Sequence, residues 1–239
     1  MRILQKIIEK FTHSYVVGKN NKIIFIKNGK ETKRFFMPKG LKVYIKGSNN
    51  TIILEKPIKF SNTNFSLVGD NNTISIKKTK RPLSDVTFYI SSGSRVYIDE
   101  NSSIGQGDFY LVANGNYKTG HKVVIGKNFR AGKDTIIRTS DGHSLIDPET
   151  NLAKNEPQDV VIGDNVWVMS RCMIAKGAKI PNGSALAAYS FVNKKFEEEN
   201  ILLAGIPAKI LKHNIKWDIR GYGEYMRYLE KEKSEEQIW

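Results

Sequence analysis

The sequence has 239 residues, of which 40 % are hydrophobic and 26 % charged, ordinary values for a globular protein large enough to bury a core. No stretch reaches the roughly 18 apolar residues of a membrane-spanning helix, and a single cysteine, Cys172, excludes internal disulfides and cysteine-rich zinc sites. The net charge of +14 is spread over the chain without a nucleic-acid-binding motif. We therefore expect a cytoplasmic protein without stable membrane insertion and without a nucleic-acid partner.

The first predicted element is an N-terminal helix. Its apolar stripe consists of Ile3, Leu4, Ile7, Ile8 and Phe11. We predict that residues 1–12 cap the open edge of the structure that follows, in preference to binding a membrane.

Residues 13–122 repeat a short signature followed by a β-rich run. It reads GKNNKIIFI at 18–26, GSNNTIILE at 47–55 and GDNNTISIK at 69–77. Glycine and asparagine tolerate the positive φ that a sharp corner requires, and the run after them would form a wall. Because the spacings are uneven, we predict irregular coils of a β-solenoid that carry insertions.

Residues 123–212 follow a strict period of six. The aliphatic positions are Ile162, Val168, Ile174, Ile180, Leu186 and Val192. Four places after each stands a mostly small residue, in the order Val166, Cys172, Ala178, Ser184, Ser190 and Phe196. This period fits neither a helix nor simple alternation, and sandwich strands would be spaced about 8–12 residues apart. It predicts an all-β fold, a parallel β-helix in which short strands and corners make each coil.

The period breaks at a histidine. Ile125, Ala131 and Ile137 continue the steps of six, and the next step falls on His143. Residues 144–159 do not follow the six-residue period and contain two prolines. We predict an extruded loop over 144–159, with His143 where the loop leaves the wall. Loops on rigid scaffolds often carry the chemistry of a protein.

The last predicted element is a helical tail over residues 213–239. It is rich in aromatic residues, namely Trp217, Tyr222, Tyr225 and Tyr228. We expect the tail to pack on the solenoid or on a neighbouring subunit.

Three segments carry a family resemblance: SDGHSLID, VVIGDNVWVMSRCMIAKGAKIPNG and LLAGIPAKILK. They resemble the left-handed β-helix (hexapeptide-repeat) acyltransferases, and within these the bacterial O-acetyltransferases of sialic acid or capsular polysaccharide. The matching region covers about residues 123–217. The resemblance implies left-handed coils, a homotrimer, acetyl-CoA as co-substrate, and active sites in grooves between subunits.

The same resemblance assigns three residues. His143 falls on the catalytic histidine, which takes the proton of the acceptor hydroxyl as general base. Trp167 falls on a tryptophan that contacts CoA or the transition state, where its indole N–H or a backbone N–H would stabilise the oxyanion. Lys209 falls on a lysine near the CoA phosphates. Asp141, two places before His143, would hold the imidazole in one tautomer, or would simply cap a turn.

Further candidates for CoA binding follow from the same match. Ala187 and Ala188 would let the pantetheine arm lie close to the wall. Lys194 and Lys195 would contact its phosphates, or would be solvated surface charges. Met169 stands where related sequences have a small residue, so it would narrow the channel or change the acceptor preference.

Several functions stay open at this stage. The leading one is acetyl transfer to a hydroxyl of a bacterial surface glycan, whose acidic groups would suit the positive charge. Alternatives are N-acetylation of a nucleotide-linked amino sugar and a non-catalytic glycan-binding β-helix. A metal hydrase would need three convergent histidines, but the four are spread over positions 13, 121, 143 and 213, so we expect no metal site. His121 is a competing base outside the motif, and His13 and His213 are expected at the surface.

Overall fold

A computed structural model describes residues 14–32, 37–115 and 119–236. The N-terminal helix predicted over 1–12 lies outside the described residues. Within them, no helix is long and apolar enough to cross a bilayer.

The described residues form twenty-one strands and one helix. In chain order they are β1 (Tyr15–Val17), β2 (Lys22–Lys27), β3 (Lys30–Thr32), β4 (Leu41–Lys46), β5 (Thr51–Glu55), β6 (Phe60–Val68), β7 (Thr73–Ile76), β8 (Leu83–Ser91), β9 (Arg95–Ile98), β10 (Ser103–Asn114), β11 (Lys122–Ile125), β12 (Arg130–Ala131), β13 (Thr135–Arg138), β14 (Val160–Ile162), β15 (Trp167–Val168), β16 (Met173–Ile174), β17 (Lys179–Ile180), β18 (Ala185–Leu186), β19 (Phe191–Val192), β20 (Leu202–Gly205), β21 (Ala208–Lys212) and α1 (Tyr222–Glu236).

These strands form the three walls of a parallel β-helix, as predicted. Wall I contains β2, β5, β7, β9, β11, β14 and β17, with β3 paired antiparallel at its edge. Wall II contains β12, β15, β18, β20 and β21, together with the first residues of β6, β8 and β10. Wall III contains β1, β4, β13, β16, β19 and the remainder of those three long strands. Each complete coil runs through walls I, II and III in that order.

The core is a stack of apolar side chains in register. On wall I, successive strands align Ile76, Ile98, Ile125, Ile162 and Ile180, all almost completely buried. The six-residue period therefore marks the inward positions of consecutive walls. Removing apolar surface from water stabilises such a stack by about 25 cal/mol per Å².

Buried asparagines close the corners between walls III and I in the upstream coils. The Nδ2 of Asn72 donates to Oδ1 of Asn50 at 3.0 Å, and Asn50 donates in turn to Oδ1 of Asn21 at 3.1 Å. The residue before each of them, Asn20, Asn49 and Asn71, has positive φ. The Gly-x-Asn-Asn signature thus places one asparagine in the strained turn and the next in a ladder beneath it.

The regular coils are interrupted between β13 on wall III, which ends at Arg138, and β14 on wall I, which begins at Val160. The segment between them contains the predicted extruded loop at the corner between walls III and I. At the other end of the fold, the helical part of the tail begins only at Tyr222, and residues 214–221 form an irregular segment before it.

Candidate active site

His143 lies on the exposed part of the interrupting loop, five residues beyond the end of β13. It lines a groove of about 660 Å³ together with Ser91, Asn114 and Ser140. Asn155 fixes the loop from its far side. Its Nδ2 donates to the carbonyl of His143 at 2.8 Å, and its Oδ1 accepts the N–H of Leu145 at 2.8 Å. The backbone that carries the imidazole is therefore fixed by hydrogen bonds, and the imidazole itself is accessible to a substrate.

Asp141 has partners other than the imidazole. Its Oδ2 accepts from the Nζ of Lys176 at 2.6 Å and from the Nδ2 of Asn155 at 2.9 Å. The hydrogen bond from Lys176 is the main reason why the pKa of the Asp141 carboxyl lies below its ordinary value. Among the described residues of one chain, Asp141 therefore anchors the start of the loop to the next coil, and no hydrogen bond joins it to the His143 ring.

Trp167 lies on the outer face of wall II. Its side chain is 37 % exposed, while the neighbouring Val168 points into the core. The ring of Trp217, from the irregular segment before α1, lies 5.9 Å from that of Trp167. Trp217 also donates its indole N–H to the carbonyl of Asn165 at 2.6 Å. The tail thus packs on the solenoid beside the predicted site.

His143 and Trp167 lie on opposite sides of one chain. The loop of His143 leaves the corner between walls III and I, and wall II, which carries Trp167, is the wall opposite that corner. His143 lines the groove beside its loop, whereas the Trp167 ring packs against Trp217. A single chain therefore does not bring the two predicted catalytic groups together.

The candidate cofactor residues lie at two corners and on wall II. Met169 and Ala187 follow β15 and β18 at the corner between walls II and III, where both are half-buried. Ala188 is exposed next to Ala187. Their backbone N–H groups are already used within the walls, because Met169 donates to Leu186 and Ala187 donates to Leu203. The N–H groups of Met169 and Ala187 are thus not available to a ligand.

The candidate lysines are all exposed. Lys194 and Lys195 follow β19 at the corner between walls III and I, two coils beyond the loop of His143. The ammonium of Lys194 lies 5.1 Å from the centre of the Phe196 ring. Lys209 lies in β21, opposite Ala204. These positions leave the ammonium groups open to anions.

A basic groove was not singled out from the sequence. It has a volume of about 590 Å³ and is lined by Lys80, Arg130, Lys216 and Trp217, among other residues. Arg130 is paired in register with Trp167 on the outer face of wall II. The basic run KKTKRP at 77–82 was the available signal, but the groove also needs residues 214–219 of the tail, which are distant from that run in the sequence.

Known proteins of similar sequence and structure identify the family. The chain is 30 % identical over 180 residues to a polysialic acid O-acetyltransferase of Neisseria meningitidis, covering 75 % of this chain and 80 % of that protein. It is 32 % identical over 127 residues to one of Escherichia coli O1:K1, covering 53 % of this chain but only 39 % of that protein. No protein-family model matches the sequence. The chain belongs to the left-handed β-helix O-acetyltransferases.

Solved structures agree with this family. The crystal structure of the polysialic-acid-specific acetyltransferase NeuO matches with a TM-score of 0.75 at 28 % identity, covering 87 % of this chain and 83 % of that one. The polysialic acid O-acetyltransferase OatWY matches with a TM-score of 0.70 at 23 % identity, covering 90 % and 94 %, and shows the same fold. The predicted family, the acyltransferase class and the β-helix are thereby confirmed.

His121, His213 and the cysteine have other partners in this acetyltransferase fold, while His13 lies outside the described residues. Nδ1 of His121 lies 3.1 Å from Oδ1 of Asp159, the last residue before β14, and His213 lies 2.7 Å from Glu198. Cys172 is buried, and burial raises the pKa of its thiol. In the described part of the chain, no three His, Cys, Asp or Glu side chains converge as a metal site would require.

Proposed function

We propose that the chain transfers an acetyl group from acetyl-CoA to a hydroxyl of a bacterial surface glycan, with His143 as the general base. The observation that carries this proposal is the exposed imidazole on a braced loop of an O-acetyltransferase fold. The two named relatives act, by their names, on polysialic acid, which makes a sialic-acid glycan the first acceptor to test.

The proposed step is a direct transfer. A neutral imidazole nitrogen of His143 removes the proton from the acceptor hydroxyl while its oxygen attacks the thioester carbonyl. The carbonyl becomes a tetrahedral oxyanion, which a donor such as the indole N–H of Trp167 stabilises. The C–S bond then breaks, the ester forms, and the imidazolium returns its proton to the CoA thiolate. No acyl-enzyme is required, because both substrates are held side by side.

The active site in this proposal forms between copies of the chain. A cyclic trimer whose copies all turn wall III towards the axis places the loop corner of one copy beside wall II of the next. The outer face of wall III suits such burial, since Tyr44, Tyr110 and Ile136 on it are each about two-fifths exposed. His143 of one copy and Trp167 of the next would then meet in one groove.

Acetyl-CoA would lie on the C-terminal side of that groove. Ala187 and Ala188 have no bulk to obstruct a pantetheine arm, while Lys194, Lys195 and Lys209 offer ammonium groups for the phosphates. Met169 would narrow the channel next to Trp167, and a Met169→Gly variant would test whether this bulk selects the acceptor.

The experiment that tests the proposal is thiol release from acetyl-CoA with sialic acid oligomers, neutral glycans and nucleotide-linked amino sugars as separate acceptors. We expect turnover with the sialic acid oligomers, and a loss of about 10²- to 10⁴-fold in kcat for His143→Ala. His213→Ala, which changes an exposed histidine outside the site, is the matched control. Full turnover by His143→Ala would remove the assigned base, and turnover only with amino sugars would make the protein an N-acetyltransferase.

Mixing two inactive variants tests the shared site. The His143→Ala and Trp167→Ala chains are unfolded together and then refolded. The mixture should regain turnover, because about a quarter of the sites in randomly assembled cyclic oligomers combine an intact histidine with an intact tryptophan. Analytical ultracentrifugation would give the number of copies. A mixture as inactive as its components, with mixed oligomers present, would contradict a site between copies.

A further inference from the structure

The basic groove beside Trp167 contains cations that lack a carboxylate partner. In the run KKTKRP, Lys77 pairs with Asp99 at 3.0 Å and Lys78 pairs with Glu100 at 2.9 Å. Lys80 and Arg81 form no ion pair among the described residues, and neither does Arg130. Uncompensated positive charge on one side of a groove attracts an anion.

Arg130 is the most constrained of these cations. One of its Nη atoms donates weakly to the carbonyl of Asn101 at 3.4 Å, while its buried Nε has no hydrogen-bond partner in the described structure. Burial and the nearby Arg81 both lower the pKa of the Arg130 guanidinium. The buried Nε is closed to a ligand, but the second Nη atom is neither buried nor hydrogen-bonded in the described structure, so it is free to donate to an acceptor in the groove.

The acidic side chain that lines the groove does not neutralise Arg130. Asp218 is held by Arg220, whose Nε and Nη2 donate to its two carboxylate oxygens at 2.8 and 2.9 Å. The net charge of the groove therefore stays positive. Amide side chains, including Asn128 and Asn165, and the Trp217 ring complete a lining suited to hydroxyl groups and to an apolar sugar face.

The groove extends along several coils, as far as Gly183 and Asn200, but the two cations that the solenoid itself contributes lie at one end of it. Arg130 lies one coil before Trp167, and Lys80 lies earlier still, whereas Ala187 and Lys209 lie on later coils. If acetyl transfer occurs at Trp167 with acetyl-CoA on the C-terminal side, the Arg130 end of the groove lies on the side left open to the acceptor.

We propose that Arg130, assisted by Lys80 and Lys216, binds the carboxylate of an acidic sugar in the acceptor and so determines acceptor specificity. A planar guanidinium recognises a carboxylate through two parallel hydrogen bonds, a geometry that a lysine cannot reproduce. The inference rests on the proposed acetyl transfer and names the substrate class of that same site.

The test compares Arg130→Gln with wild type on two acceptors, a sialic acid oligomer and the same oligomer with its carboxyl groups reduced to alcohols. We expect the KM of Arg130→Gln for the acidic oligomer to rise about 10- to 100-fold, with the reduced oligomer and the KM for acetyl-CoA unchanged. Arg130→Lys should give an intermediate KM. Arg95→Gln, an exposed arginine on wall I, is the matched control and should behave as wild type.

Each other outcome has a definite meaning. If Arg130→Gln prefers the acidic oligomer over the reduced one as strongly as wild type does, Arg130 does not bind the carboxylate. If Arg130→Gln instead raises the KM for acetyl-CoA, the groove binds a CoA phosphate and the proposal is again wrong. If wild type acetylates no glycan, the proposed function itself fails. Should Arg130→Gln lose its fold by circular dichroism, the double variant Lys80→Gln, Lys216→Gln carries the same test, with an expected rise in KM for the acidic oligomer only.

Discussion

The coils before the loop and the coils after it differ in the length of chain that each uses. Upstream, the asparagine ladder joins residues 29 and 22 positions apart, whereas downstream the bond from Asp164 to Asn182, at the corner between walls I and II, joins residues 18 positions apart. The coil that contains the loop spans 37. Upstream strands are long and include a stacked aromatic core, while downstream strands are mostly two residues long with aliphatic and small side chains.

The coils before the loop and the coils after it therefore have different roles. The upstream coils bury large side chains and a polar ladder, both of which stabilise the fold. The downstream coils present one outward side chain after another at fixed steps, and these include most of the candidate cofactor residues. The loop that carries His143 lies at the boundary between the two regions. Four predictions test or refine this contrast, the last two on the same ion pair.

The largest expected effect is the loss of an upstream aromatic. Phe88 is fully buried, and its ring is stacked 5.1 Å from that of Phe65. Phe88→Ala should lower the free energy of unfolding by about 3–5 kcal/mol, since the cavity is large and its rigid walls cannot collapse. Urea unfolding followed by circular dichroism measures this. Ile174→Ala in the downstream core should cost less, and an equal or larger loss there would remove the contrast.

A smaller effect is expected for the polar ladder. Asn72 is fully buried, donates to the carbonyl of Val68 at 3.1 Å and accepts the N–H of Ser94 at 3.1 Å. Asn72→Ala should cost about 1–3 kcal/mol, because it leaves buried backbone groups without partners. The control is Asn128→Gly, which removes an exposed amide at positive φ that glycine adopts freely. Equal unfolding midpoints for the two variants would show that the ladder adds nothing.

The smallest effect concerns the loop anchor. The pair between Lys176 and Asp141 is partly exposed, so it should contribute less than about 1 kcal/mol. Lys176→Gln should speed hydrogen exchange of the Leu145 and Lys154 amides by up to about fivefold at pH 7, since both donate within the loop. Arg95→Gln is the control, and unchanged exchange in Lys176→Gln would mean that the loop is held without the pair.

The same pair gives a pH dependence with a definite sign. The pKa of Asp141 is lower in the folded chain than its ordinary value of 3.8. Its contribution is therefore complete above that value and is lost as the pH falls through the lowered pKa. Wild type and Lys176→Gln should differ in loop exchange at pH 7 and become alike once Asp141 is protonated. A difference that persisted in that acidic range would exclude the carboxylate as its source.

The sequence was most informative where its period was strict. Ile162, Ile174 and Leu186 are buried as their spacing predicts, because a repeated coil fixes the direction of each side chain. The loss of phase after Ile137 also located the loop of His143. By contrast, the partner of Asp141 is Lys176, 35 residues away, and it meets the carboxylate only because the loop returns to the next coil. The Arg130 groove likewise depends on Trp217 folding back over wall II, which no local pattern encodes.

The antiparallel turn at the end of wall II affects how copies can associate along the solenoid axis. A stack of parallel coils ends in unpaired backbone groups on which another chain could continue the sheet. At β20 that edge is occupied by β21, whose direction is reversed and whose exposed Lys209 and Lys212 repel a second basic molecule. Reversed strand direction and like charge thus both oppose the continuation of this wall by a second copy of the chain.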